Sequence, residues 1–334
     1  MSIALTRRRA LALSTAAIGG GVLAMPHVAR AAGTKIRFLT SWFAQAEHGG
    51  LYQALATGLY EKAGLDVSID MGGPQVNGLQ LLTGGNADIV MSYDIQVLKA
   101  VENKLPVVAI GSTFQADLQG LMTHPDINSL ADLKGHKILI ASTSHSTFWP
   151  WLCHRFGFSD EQAAPYTFNL QPFLLDKTAA VQGYGTSEPF EAKEMGASVK
   201  FFLFADDGYP PYGSTMVTTN GFAAKNPEVT RAFLKATMQG WKDYLQNPAP
   251  GNVLIKQANP KMDDARIAFA VERMKTLNLL GSGDAATKGM GIMTQRRWNQ
   301  TYDFLVAGKL LSPSTDWKAA FTTKFVDGLD VMPV

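Results

Sequence analysis

Cysteine is nearly missing from this chain: Cys153 stands alone among 334 residues. That excludes a disulfide framework and a cysteine-built metal cluster within one chain. Charge is sparse as well, at 17% Asp, Glu, Lys and Arg. Beyond the first 31 residues no Lys/Arg block of nucleic-acid-binding type remains, which removes that class of function. The weakly apolar stretch at 10–24 is short for a membrane span of about 20 residues. Three catalytic signatures are absent too: there is no G-x-S-x-G elbow, no H-E-x-x-H and no Walker A loop. The histidines at 48, 124, 136, 145 and 154 have no metal-ligand spacing. No cofactor and no metal are expected. There is no low-complexity tract and no visible internal repeat.

The first 31 residues read as an export signal rather than as fold. Arg7-Arg8-Arg9 forms a basic start, Ala10 to Ala24 a weakly apolar middle with Gly19-Gly20-Gly21, and Ala29-Arg30-Ala31 a small-residue cleavage region. Paired arginines fit twin-arginine export, and an ordinary secretory signal would lead to the same compartment. This segment holds four of the 30 basic residues and no acid, so 26 remain against 28 acids. The remaining chain is therefore faintly acidic. With 46% hydrophobic residues, about 300 residues can bury a large core split into two lobes.

Periodicity predicts strands at 35–41, 65–71, 87–92 and 106–112, alternating with helices at 49–63, 76–84 and 94–102. A second series follows, with strands at 118–123, 137–141, 166–171, 199–204 and 214–219. Between them come a short helix near 130–135 and a longer one at 146–156. The end is helical, at 227–246, 252–258, 263–276 and 294–307. Gly281 to Ala286 matches G-x-G-x-x-A but follows a helical pattern, so it reads as a helix–helix turn. The fold class is α/β with two lobes, each a mixed, mostly parallel sheet flanked by helices, and a ligand cleft between them. Lobe 1 takes 34–116 and 213–334, lobe 2 takes 117–212, and the chain crosses near 113–120 and 208–216.

Ligands in open α/β sheets sit beyond the carboxyl ends of the strands, where strand-to-helix loops lie. Three such loops stand out. SWFAQAEHGG at 41–50 carries Trp42, Phe43, Glu47 and His48. STSHST at 142–147 offers hydroxyls at a helix start, among them Ser144, Ser146 and Thr147; one of them caps the helix, and four exceed what a cap needs. GYGTSEPF at 183–190 carries Tyr184, Glu188 and Phe190. Tyr93, Phe114 and Tyr212 join the aromatic set, suited to stacking on a flat ring or to core packing. Glu47-His48 or Ser144-His145 could in principle be acid/base or nucleophile pairs, though neither has a recognisable third partner.

The order of SWFAQAEHGGLYQALATGLYEKAGLDV, LLTGGNADIVMSYD, SLADLKGHKILIAS and SEPF, behind an export signal, resembles periplasmic substrate-binding proteins of ABC importers. The nearest branch is the one that binds thiamine-pyrimidine precursors, sulfonates, taurine and nitrate. That resemblance implies a type II periplasmic fold and a monomeric, non-enzymatic receptor that delivers ligand to an inner-membrane permease. It also implies roles for residues: Trp42 as an aromatic wall, Glu47-His48 where relatives often carry Asp-His, Glu188 in the loop ending Glu-Pro, and Ser144 to Thr147 at the hydroxyl-rich helix start. The expected ligand is a nitrogen-containing aromatic, with an anion such as a sulfonate, nitrate or aromatic carboxylate as the alternative and a secreted hydrolase as the alternative from another class. One branch member is a pyrimidine phosphate synthase with a cysteine-rich motif, which a single Cys153 does not reproduce.

Overall fold

Alternating side chains in the first strand, β1 (Thr34–Leu39), turn Ile36 and Phe38 into the core and leave Lys35 and Arg37 outside. The computed structural model describes residues 33–73 and 75–334; the export-signal region lies outside them. After β1 come α1 (Gly49–Ala56), α2 (Leu59–Lys62), β2 (Leu65–Asp70), α3 (Gly78–Thr83), β3 (Ile89–Ser92), α4 (Asp94–Glu102) and β4 (Val107–Phe114). The chain continues through β5 (Gln119–Thr123), β6 (Ile138–Ile140), α5 (Trp149–Phe156), β7 (Ala163–Pro165), α6 (Gln171–Leu175), β8 (Ala180–Tyr184), α7 (Glu188–Glu194) and β9 (Lys200–Leu203). It closes with β10 (Gly213–Thr219) and the helices α8 (Asn220–Lys225), α9 (Pro227–Gln246), α10 (Ala249–Ala258), α11 (Asp264–Thr276), α12 (Ala285–Lys288) and α13 (Gln295–Ala307).

These strands build two five-stranded mixed sheets, ordered β2-β1-β3-β10-β4 and β7-β6-β8-β5-β9. In the first, β1 runs parallel to β2 and β3, while β10 is antiparallel to β3 and β4. The second repeats this pattern, with β6 parallel to β7 and β8 and with β5 antiparallel to β8 and β9. Each sheet thus takes its antiparallel strand from a segment that has just crossed between them. The crossings run through 115–118 and 204–212. A sequence without a visible repeat therefore carries one topology twice. The internal strands β3 and β10, and β4 at the sheet edge, are buried along almost their whole length, which requires cover on both faces of the sheet there.

Several sequence expectations shift. The helix predicted over 49–63 is broken at Gly58, whose φ of 69° is left-handed. The strand expected at 166–171 is irregular chain up to Leu170, with Gln171 opening α6, since pairing with β6 ends at Pro165 and Phe168 takes a φ of 58°. Helices α6 and α7 went unread because each is a short turn opened by a proline, Pro172 and Pro189. The G-x-G-x-x-A stretch, 281–286, follows α11 and runs into the first two residues of α12.

Gly49 and Gly50, which open α1, are required by the packing of that helix. A Cβ on Gly49 would stand 2.1 Å from the Tyr244 ring, and one on Gly50 2.1 Å from Trp241. Gly240 faces them, with room for no Cβ beside the Gly50 carbonyl at 2.2 Å. The glycines are there so that α1 and α9 can pack backbone to backbone.

Candidate functional site

Both lobes meet at the carboxyl ends of their strands. From the first lobe, the loop after β1 is shaped by Thr40, whose hydroxyl donates to the Trp42 carbonyl at 2.6 Å and accepts from the Gly72 amide at 3.0 Å. This sets the half-buried Trp42 ring edge-on to Phe43, with centroids 5.5 Å apart. Trp42 also meets Phe168 of the second lobe at 5.7 Å. A 3-10 turn, Ala46–His48, then buries Glu47 and His48.

Tyr93, just past β3, shares a short hydrogen bond with the Tyr184 hydroxyl at the end of β8. Glu188 folds back beneath that tyrosine: its Oε2 accepts from the Tyr184 amide at 2.7 Å and from the Ser187 hydroxyl. Only a glycine fits above it, since a Cβ on Gly183 would lie 2.6 Å from the Glu188 carboxyl carbon. One carboxylate oxygen thus holds the turn.

Helix α11 of the first lobe grips the same turn from outside. Arg273 Nε donates to the Gly185 carbonyl at 3.2 Å. Phe269 meets the Phe190 ring at 5.5 Å, and the Arg266 guanidinium lies 5.3 Å over that ring. Spacing alone gave no sign of these contacts or of the buried Asp117. The latter accepts from the Gln119 amide at 2.9 Å and its side-chain amide at 3.0 Å.

Burial dominates the electrostatics of this junction. It pushes the Glu47 carboxyl up to about 7, partly opposed by Thr186, with Glu188 adding a like charge and Arg266 an opposite one. Burial likewise raises Asp117 to about 7 and moves Glu188 upward. His48 is driven down to about 3 by burial, weakly opposed by donation of its ring N–H toward the Phe43 backbone, and is neutral at ordinary pH. Its Nδ1 is buried without a protein partner.

Other expected contacts are placed differently. Phe114 is fully buried, edge-on to Trp241 at 5.3 Å, and belongs to the core. Tyr212 is also fully buried; its hydroxyl accepts from the Thr294 amide at 3.0 Å and Arg297 covers its ring at 4.3 Å. Both pack around the lobe crossings instead of lining a cleft. Ser144 donates to Gln182 Oε1 at 2.7 Å, and that oxygen also takes the Ala141 amide at 2.5 Å. Thr147 turns back to the Ser144 carbonyl at 3.4 Å, while Ser146 lies exposed. A separate cavity of about 760 Å³ beside the crossings is lined by Gln115, Trp151, Tyr209, Arg297 and Phe304.

With this geometry in place, comparison with known proteins is decisive for kinship. The pattern described as NMT1/THI5 like matches residues 45–250. The chain belongs to that family. A riboflavin-binding protein, RibY, from Chloroflexus aurantiacus is 24% identical over 307 residues, covering 88% of this chain and 86% of that protein. A formylaminopyrimidine-binding protein from Halalkalibacterium halodurans is 26% identical over 301 residues, covering 84% and 90%. In three dimensions the chain resembles the periplasmic aliphatic sulphonate binding protein SsuA from Escherichia coli, with a TM-score of 0.64 and 17% identity, covering 85% and 91%. That likeness fixes the architecture as a two-lobed periplasmic binding fold. Among the described residues no helix is long and apolar enough to cross a membrane.

Proposed function

We propose that this NMT1/THI5-like protein is an exported, monomeric receptor that captures a small molecule between its lobes and delivers it to an ABC importer. Lobe 1 comprises 34–116 and 213–334, lobe 2 comprises 117–212, and residues 1–31 are the signal removed on export. The ligand is a nitrogen-bearing, neutral or cationic ring rather than an anion. One observation carries that choice: the titratable groups at the junction are Glu47, Glu188, Asp117, two tyrosines and a neutral His48. The nearby cations are already engaged, Arg266 over Phe190 and Arg273 on the Gly185 carbonyl. An anion placed there meets three buried acids, whereas N–H groups meet acceptors.

A binding role, with no turnover, is supported by the state of the candidate nucleophile. The Ser144 hydroxyl is directed to the Gln182 amide oxygen, which is no base, and not to a histidine. His48, held near pKa 3, is a poor general base at neutral pH. The names of the riboflavin- and formylaminopyrimidine-binding relatives agree with a flat heteroaromatic ligand.

Native mass spectrometry of freshly purified protein, followed by thermal shifts with aminopyrimidines, flavins and alkanesulfonates, tests the reading. A ring ligand should raise the melting temperature by mass action, and alkanesulfonates should not. Stabilisation by sulfonates alone would refute the ligand class. Recovery of a chemically altered ligand would refute the receptor role.

A further inference from the structure

Phe168, in the irregular segment after β7, is an unusual residue that the receptor reading has not used. Its side chain is 55% exposed, more than most large apolar groups of this chain. Its backbone sits at a φ of 58°, a left-handed conformation that bulky L-residues rarely adopt. A glycine or asparagine would suit that backbone better, and Asn169 is next in sequence. An exposed ring on a strained backbone is a poor bargain for folding, and such residues gather at ligand clamps.

The ring's neighbours give the strain a purpose. Phe168 meets Trp42 across the lobe boundary at 5.7 Å with planes inclined by 42°, and Tyr166 supports it from behind at 5.2 Å. Both jaws follow strand ends, Trp42 after β1 and Phe168 after β7, where ligands enter such folds. The first-lobe side of this mouth is apolar as well, with Phe43 41% and Met71 39% exposed. A planar guest in contact on both faces would need ring planes about 7 Å apart, from two contacts of about 3.5 Å. From centroids 5.7 Å apart and planes inclined by 42°, that gap needs the lobes to part by an ångström or so and the two rings to turn parallel.

We propose that Phe168 is a ligand-contacting, specificity-determining residue that forms with Trp42 a clamp for flat conjugated rings. The proposal rests on the receptor reading and adds a residue and a shape rule to it. The test uses the whole exported chain and four variants: Phe168→Gly and Phe168→Asn, which suit the backbone and remove the ring, Phe168→Ala, and Phe168→Tyr, which keeps the ring. Riboflavin and 4-amino-2-methylpyrimidine serve as flat probes, ethanesulfonate as a non-planar one, with binding measured by calorimetry.

In Phe168→Gly and Phe168→Asn the ligand-free melting temperature should stay level or rise, because the strain is relieved. Affinity for the flat probe that binds should fall roughly tenfold to a hundredfold, the range of a lost ring stack. Phe168→Ala should bind as weakly, and Phe168→Tyr should stay within about threefold of the parent. Unchanged flat-probe affinity in Phe168→Gly would overturn the clamp while leaving the receptor reading intact. An equal loss for ethanesulfonate and flat probe would overturn it too, since the ring would then be serving closure in general. A parent protein that binds ethanesulfonate and neither flat probe would refute the ring-ligand reading, and the clamp with it.

Discussion

The buried acid Glu47 makes a prediction that needs no ligand. Its carboxyl is raised from 4.5 to about 7, chiefly by burial, in a side chain only 5% exposed. A carboxyl with a raised pKa holds its proton more tightly in the folded than in the unfolded chain. Stability contributed by the protonated form is therefore present below pH 4.5 and lost as pH rises through 7. A shift of this size corresponds to about 3 kcal/mol. His48 works in the opposite direction: lowered from 6.5 to about 3, it costs stability in acid and returns it as pH climbs to 6.5. Asp117 and Asp94, raised to about 7 and about 6, reinforce Glu47. The total pH profile mixes all four, but Glu47→Gln isolates one of them while keeping size and hydrogen bonding. Urea unfolding of parent and variant at about pH 5 and about pH 8 gives the difference directly. The parent should lose about 2.5 kcal/mol relative to Glu47→Gln between those two conditions, since at about pH 5 part of the effect is already gone. A difference that does not change with pH would refute the assignment of a buried, proton-retaining carboxyl at this position.

Three further outcomes follow from single contacts. Gly50→Ala drives a methyl into the Trp241 ring, so urea unfolding should show a loss of about 1–3 kcal/mol or more, and an unchanged midpoint would mean α1 and α9 can part without cost. Arg273→Ala and Phe269→Ala remove contacts between α11 and the 183–190 turn; calorimetry should show every ligand weakened by one common factor of roughly threefold to tenfold, whereas a change in the ratio between ligands would place these side chains at the ligand instead. Cys153, its thiol pushed up to about 11 by burial with Asp160 adding to it, should react with iodoacetamide roughly a hundredfold more slowly than free cysteine at neutral pH, as read by intact-mass spectrometry.

Long periodic segments were legible and short, proline-opened ones were not. Helices α4 and α9 occupy the residues that periodicity assigns them, because each keeps an apolar stripe over several turns. β8 escaped notice since Ala180-Val181-Gln182-Gly183-Tyr184 has too few large apolar residues to show a period. The candidate loops were found, yet the fate of each side chain was not. Phe114 and Ser144 were chosen for ring and hydroxyl, but partners distant in sequence, Trp241 and Gln182, take them up. Phe168 was missed for the converse reason: it lies in a stretch that reads as strand, and nothing local signals that its backbone is left-handed or that Trp42 is opposite. Residue type can nominate a loop, while tertiary contacts decide which of its members remain available.

The stretch SWFAQAEHGG shows why adjacency in sequence is weak evidence for shared chemistry. Glu47 and His48 look like an acid–base pair, but they occupy a 3-10 turn, in which successive residues point about 120° apart. After burial, the Glu47 carboxyl responds to Thr186, Glu188 and Arg266, and the His48 ring to the Phe43 backbone. A dyad would need each to perturb the other, and neither is among the causes of the other's shift. Two residues further on, Gly49 and Gly50 have left the junction and seat α1 on Tyr244 and Trp241. The same backbone thus serves the cleft lip at Trp42, the lobe junction at Glu47 and the helix core at Gly50. Mutations within these ten residues should therefore separate: ligand selectivity at Trp42, pH dependence at Glu47, and stability alone at Gly50.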